Sequence, residues 1–163
     1  MNRLKVIIIP VLLILILSII GMNLDKDDQL KTKNNYPDLP KMLFQIPDYM
    51  NQIIIGSDLD DRDYVVNFFA SWCGPCLAEH PTLMELKSRG VTIIGINFRD
   101  DQENLKKWLQ DNGNPFKYIF IDNGDIAFEM GLIGVPETYF VRKNKIVNKI
   151  QGPIFGDDIE EYP

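Results

Sequence analysis

Cys73 and Cys76 are the only cysteines in the 163-residue chain, three residues apart in Phe69-Ala70-Ser71-Trp72-Cys73-Gly74-Pro75-Cys76. A bridge closing so short a loop constrains the unfolded chain by only about 2 kcal/mol, so the pair serves reactivity or metal binding, not a disulfide scaffold. The run before them reads as a strand and the run after them as a helix, which puts both sulfurs at a strand-to-helix junction. At a helix amino terminus, unpaired N–H groups and the positive end of the dipole favour an anion, so a Cys73 thiolate forms at lower pH than a free thiol. Cys76, one turn on and on the same face, can reach the Cys73 sulfur. Cys73 is then the attacking thiol, and Cys76 resolves the mixed disulfide. The competing chemistry is metal. Cys73, Cys76 and the sole histidine, His80, give three ligands at most, one short of a closed zinc site, which leaves a copper metallochaperone as the alternative of another class. Otherwise His80 reads as an exposed helix residue with no catalytic duty, and Trp72 as core or as a shield for the nucleophile.

The elements that must position this pair follow from periodicity. Tyr64 to Ala70, rich in β-branched and aromatic residues, predicts a buried strand, and residues 74 to 89 a helix bent at Pro81 and stopped by Gly90. Val91 to Phe98 predicts a second strand, and Asp100 with Glu103 a capping box opening a helix to about Asn112. A third strand over Lys117 to Ile121 and a short helix over Ile126 to Met130 precede a hairpin of Glu137 to Val141 and Lys145 to Gln151 around Arg142-Lys143-Asn144. Strand, helix, strand, helix implies an α/β fold with a parallel pair, closed by the antiparallel hairpin.

Ahead of this domain, Val6 to Met22 carries no charge and reaches roughly 25 Å as a helix, close to a hydrocarbon core. Ser18-Ile19-Ile20-Gly21-Met22 is a poor cleavage site, so residues 1–24 are expected to be an uncleaved transmembrane anchor. Arg3 and Lys5 before the span, set against Asp25, Lys26, Asp27 and Asp28 after it, direct the rest of the chain outward. Residues 25–40 read as a polar tether and 41–163 as the folded domain. The chain has 17 basic and 23 acidic residues, a net charge of −6. Residues 41–163 hold 12 and 19 of these, a net charge of −7 that favours solubility, and the acidic balance disfavours phosphate or nucleic-acid binding.

Trp72-Cys73-Gly74-Pro75-Cys76 after Val65-Val66-Asn67-Phe68-Phe69, with Pro81 five residues past the second cysteine, resembles the thioredoxin superfamily. Cys76-Leu77-Ala78-Glu79-His80, Gly95-Ile96-Asn97-Phe98-Arg99-Asp100-Asp101, Gly113-Asn114-Pro115 and Gly134-Val135-Pro136-Glu137-Thr138 narrow that resemblance. They are similar to the DsbE or CcmG family, the membrane-anchored thiol:disulfide interchange proteins of bacterial cytochrome c maturation. The resemblance, over roughly residues 41 to 155, implies a thioredoxin-like fold with a central mixed sheet flanked by helices. It implies that Pro136 is a cis-proline beside the cysteines and that Val135 pairs with an extended substrate, with Trp72 alongside. Asn67 stands where cytoplasmic thioredoxins carry a buried acid that takes a proton from the second cysteine, and an amide cannot do this. Water or another carboxylate must, with Glu137 and Glu79 as candidates. Glu137 is preferred for its place beside Pro136 at the active-site rim, whereas Glu79 could equally be a solvated helix residue.

The family's longer carboxyl-terminal helix is reduced here to a stub opened by Asp157, which predicts either an incompletely covered edge or a truncated form of the chain. Leu43 to Asp63 is also short for the family's amino-terminal hairpin. The implied activity is that of a protein-disulfide reductase at the periplasmic side of the inner membrane. Its client would be apocytochrome c or a maturation thiol protein, or other exported proteins if the role is general. Gly-Pro between the cysteines is the pair of thioredoxin, whose potential of about −270 mV suggests the reducing direction. No flavin or nicotinamide fingerprint is visible, so electrons are expected from a transmembrane thiol reductant, with no dissociable cofactor and no metal.

Overall fold

The computed structural model describes residues 36, 39, 48–52, 59 and 62–160. The expected anchor, residues 1–24, and most of the expected tether lie outside the described residues. Among the described residues no helix is long and apolar enough to cross a membrane. Leu39, assigned above to the tether, packs against the core, so the ordered packing begins before residue 41.

A strand with no polar face needs cover on both sides, and Tyr64–Phe69 (β1) has all six residues buried. It lies at the centre of a five-stranded sheet of order β3-β2-β1-β4-β5. Thr92–Phe98 (β2) pairs parallel with β1, and Tyr118–Asp122 (β3) parallel with β2. Glu137–Arg142 (β4) runs antiparallel to β1, with Thr138 opposite Asn67 and Glu137 opposite Phe68, and Lys145–Gln151 (β5) closes that edge. This is the mixed thioredoxin-like sheet anticipated from the sequence, with strand bounds moved by one residue at most.

Alternation along β1 divides the core. Val65 and Phe69 pack with Leu83 and Leu86 of Gly74–Ser88 (α1) and with Leu105 and Trp108 of Gln102–Asn112 (α2). Tyr64, Val66 and Phe68 pack with Ile126, Ala127 and Met130 of Asp125–Met130 (α3). Each fully buried side chain of this kind contributes roughly 1.5–3 kcal/mol. α1 runs unbroken through Pro81 and ends at Arg89, where Gly90 at φ 87° takes the left-handed turn. The Asp122 carboxylate, itself buried, accepts the N–H groups of Gly124, Ile126 and Ala127 and so holds the start of α3.

One local expectation changes, and two flanking segments gain detail. The cap of α2 is Asp101, not Asp100: its Oδ1 accepts from the N–H of Glu103 at 2.9 Å and of Asn104 at 3.2 Å. Asp100 is unavailable because its carboxylate is engaged by Ser71 and Asn97. The region before β1 is short but still contributes, since Asp48 and Tyr49 exchange hydrogen bonds with the backbone of Ile119 on edge strand β3. The carboxyl-terminal stub is a 3-10 turn, Gly156–Ile159, that seats Ile154 and Ile159 fully in the core above α1.

Gly95 of β2 faces α1 and α2. A Cβ there would meet Phe116 Cδ1 at 2.7 Å and Phe69 Cε1 at 2.9 Å, where the two rings stack with centroids 4.3 Å apart. Alanine in a strand normally stabilises relative to glycine, yet here the overlap decides the sign. Gly95→Ala is expected to destabilise the oxidised domain by about 1–3 kcal/mol in urea unfolding, and an unchanged or raised midpoint would show that the rings yield freely.

Candidate active site

β1 ends at Phe69, and the chain turns through Ala70, Ser71 and Trp72 into α1. Cys73 is the N-cap of that helix, with φ −92° and ψ 105°, and its sulfur accepts the N–H of Cys76 at 3.2 Å. Gly74 and Pro75 open the first turn, where proline's missing N–H costs nothing. The two cysteines form a disulfide with Cα atoms 5.3 Å apart. Cys73 retains 5% exposure and Cys76 only 1%, so Cys73 is the outer sulfur. The N–H that meets the Cys73 sulfur in the closed pair is one of the orphan donors of the helix end, and it favours a thiolate there once the pair opens.

Pro136 precedes the residue that pairs with Phe68, which places it at the same end of the sheet as the cysteine turn. The Val135–Pro136 peptide is cis, as the resemblance implied. Val135 is half-buried and packs against the cluster that contains both cysteines. Trp72 is not core: it is 59% exposed beside Cys73, while its indole N–H donates to the carbonyl of Arg99 at 3.1 Å.

Both carboxylates lie deeper than expected. Glu79 is not solvated but fully buried, one helical turn beyond Cys76 and on the same face. Its Oε1 accepts from Asn67 Nδ2 at 2.8 Å and its Oε2 from the N–H of Ile154 at 3.1 Å. Asn67 also donates to Thr138 Oγ1, its cross-strand partner, at 3.0 Å. Burial pushes the Glu79 carboxyl up to about 7, against the smaller opposing effect of the hydrogen bonds from Asn67 and Ile154. Glu137 is not at a rim but fully buried, and alternation puts it with Tyr139 on the α3 face, away from α1. Its Oε1 accepts from the Tyr139 hydroxyl and pairs with Lys149 Nζ at 2.9 Å. Burial and the Glu137 carboxylate push the Tyr139 phenol up.

His80 is likewise buried, not exposed, with its ring edge-on to Trp108 at 4.6 Å and its Nε2 2.9 Å from the carbonyl oxygen of Asn112. Burial lowers its proton affinity, outweighing the Asn112 contact. Its ring thus joins α1 to the end of α2, and among the described residues no three His, Cys, Asp or Glu side chains converge to hold a metal ion.

Comparison with known proteins agrees with this geometry. Residues 37–150 match the AhpC/TSA family. The thiol:disulfide interchange protein HelX of Rhodobacter capsulatus is 39% identical over 108 residues, 63% of this chain and 61% of its own length. The thiol:disulfide interchange protein DsbE of Pseudomonas fluorescens is 32% identical over 127 residues, 74% of this chain and 71% of its own. The chain belongs to the AhpC/TSA family, among its DsbE-type thiol:disulfide interchange proteins. A secreted Mycobacterium tuberculosis disulfide oxidoreductase homologous to Escherichia coli DsbE shares the fold, with a TM-score of 0.62 at 20% identity over 74% of this chain and 95% of that one. The chain thus spans 61% of HelX and 46% of the DsbE of Vibrio cholerae, but 71% of the DsbE of Pseudomonas fluorescens.

The sequence reading named the cysteines, Trp72, Val135, Pro136 and both acids, but it missed what holds them. Ile154 on Glu79 and Lys149 on Glu137 come from the segment after β4, 75 and 12 residues away in sequence, and no local spacing announces them. The side of the sheet taken by Glu137 follows from strand alternation once Thr138 is placed opposite Asn67.

A carboxyl with a folded pKa of about 7 and an ordinary value of 4.5 holds an extra proton only in the folded state between those limits. Its contribution to stability is complete below about pH 4.5 and is lost as the pH rises through about 7. Relative to Glu79→Gln, oxidised wild type is expected to lose about 2 to 3 kcal/mol between pH 4.5 and pH 8, read by urea unfolding at each pH. Parallel profiles for the two proteins would mean that Glu79 ionises normally.

Proposed function

We propose that the chain is a protein-disulfide reductase acting in cytochrome c maturation, held at the inner membrane by residues 1–24 with its domain on the periplasmic side. The observation that supports this most is the Cys73 sulfur at the N-cap of α1, with a buried acid of pKa about 7 one turn beyond its partner. Exposed Trp72, and Val135, which packs against the cluster that holds both cysteines, support a docking edge for an extended client formed by Trp72 and the main chain of Val135 next to Pro136.

In the reducing direction, the Cys73 thiolate attacks one sulfur of the client disulfide, the client S–S bond breaks, and the other client sulfur leaves as a thiolate that takes a proton from water. Cys76 passes its proton to the Glu79 carboxylate and attacks the Cys73 sulfur, closing the Cys73–Cys76 bond and releasing the second client thiolate. Two electrons have then moved to the client, and a transmembrane thiol reductant reopens the pair. Glu79 suits this step because a group titrating near neutrality can accept and return a proton at working pH. Glu137, paired with Lys149 on the other face, instead braces the strand that follows Pro136. The client is apocytochrome c, or a thiol protein that handles it, whose two cysteines must be reduced before haem attaches. The domain's net charge of −7 favours a basic segment of this kind.

Cys76→Ala expressed in cells should trap the client as a mixed disulfide on Cys73, and mass spectrometry of the linked species is expected to identify an apocytochrome c or another maturation protein. Recovery of unrelated envelope proteins alone would assign the chain to general reduction of exported proteins.

A further inference from the structure

Asp100 lies on the connection between β2 and α2, outside the cysteine motif, yet its carboxylate is turned toward that motif. Oδ2 accepts the N–H of Ser71 at 2.6 Å and Asn97 Nδ2 at 2.8 Å. Oδ1 accepts the Ser71 hydroxyl at 2.7 Å and the N–H of Asp101 at 2.8 Å. Four donors converge on two oxygens, an arrangement that only a carboxylate satisfies in full. The preceding residue supplies an independent observation. Arg99 has φ 43°, a left-handed conformation unusual for a side chain of its size, and its carbonyl accepts the Trp72 indole N–H. Its own N–H is anchored on the carbonyl of Asp122 at 2.8 Å, and its Nε lies 3.3 Å from the carbonyl oxygen of Asn123.

We propose that Asp100 is a positioning residue for thiol exchange: through both polar groups of Ser71, and with the neighbouring Arg99 carbonyl on Trp72, it fixes the turn that presents the Cys73 sulfur. The inference rests on the reading of Cys73 as the attacking sulfur. Ser71 is two residues before Cys73, and Cys73 N–H closes the same turn on the carbonyl of Ala70 at 3.2 Å. Trp72 is exposed but held in one orientation by its indole bond, so the wall beside the sulfur is set before a client arrives. The carboxylate also carries a charge, which by itself opposes a thiolate at Cys73. Positioning and charge therefore predict opposite signs. If Asp100 positions, its removal misaligns the sulfur with the helix end and hinders thiolate formation. If it acted only through charge, its removal would assist thiolate formation.

The test compares full-length wild type, Asp100→Ala, Asp100→Asn and Ser71→Ala, each also in a Cys76→Ala background for titration of the single thiol. Reduced proteins are mixed with oxidised glutathione to obtain the exchange rate, and the pH profile of iodoacetamide alkylation gives the midpoint for Cys73. Asp100→Ala is expected to slow exchange about tenfold and to raise the alkylation midpoint by about half a unit or more. Asp100→Asn, uncharged but with one acceptor oxygen for four donors, is expected to remain slow. Ser71→Ala, which loses only the hydroxyl bond, is expected to slow exchange about threefold, and Ser71→Ala with Asp100→Ala should be within about twofold of Asp100→Ala alone because the bonds are shared. Exchange by Asp100→Ala within twofold of wild type, or a midpoint that falls, would overturn the proposal. Should Asp100→Ala not fold, Ser71→Ala decides it: an unchanged rate and midpoint overturn it, and a slower rate with a raised midpoint upholds it. A wild type that exchanges no faster than Cys73→Ala would instead remove the underlying reading of the nucleophile.

Discussion

The first turn of α1 has N–H groups with no helical partner, and the side chain in front of them is the sulfur of Cys73. Because a charge develops on that sulfur each time the pair opens, the direction and steadiness of one helix end govern the chemistry. The sheet supplies both. β1 is buried on its two faces and paired along both edges, so the point at which it releases the chain into the turn is fixed from all sides. Hydrogen bonds from Ser71 and Trp72 to the loop after β2 then remove the freedom left in the turn.

The same economy governs the proton. A carboxylate has to be desolvated to hold a proton near neutrality, and it has to be anchored or it will turn toward water. Here the strand provides the anchor and the helix provides the acid. Asn67 cannot titrate, but its amide donates to Glu79 and to Thr138, so its position ties α1, β1 and β4 together at one point. Glu137 shows the contrasting outcome on the other face, where a lysine partner makes a buried acid a fixture of the strand.

Much of this was legible in the residues. Buried strands declared themselves through Val, Ile and Phe runs, the hairpin through its turn residues, and the nucleophile through its place between a strand and a helix. Failures arose where the deciding partner is remote. Asp100 and Asp101 are chemically equal as caps, and only the folded position of Ser71, 29 residues earlier, assigns one to the turn and the other to the helix. Glu79 and His80 look solvent-facing by type, but α1 is covered on more than one side: Asn67 and the chain after β5 reach Glu79, and α2 reaches His80. Polarity alone does not reveal such crowding. Glu137 was misplaced for a different reason, since proximity to Pro136 in sequence was given more weight than the two-residue period of a strand.

The N–H of Ile154 on Glu79 makes the chain beyond the last strand a tuning element for the buried acid of α1. That single donor lowers the acid's grip on its proton, so a protease nick near residues 152–154 that released the donor would strengthen that grip. On the proton-accepting role proposed for Glu79, the damage would then appear as a retarded second step of exchange at neutral pH, with Cys73 still able to make the first attack.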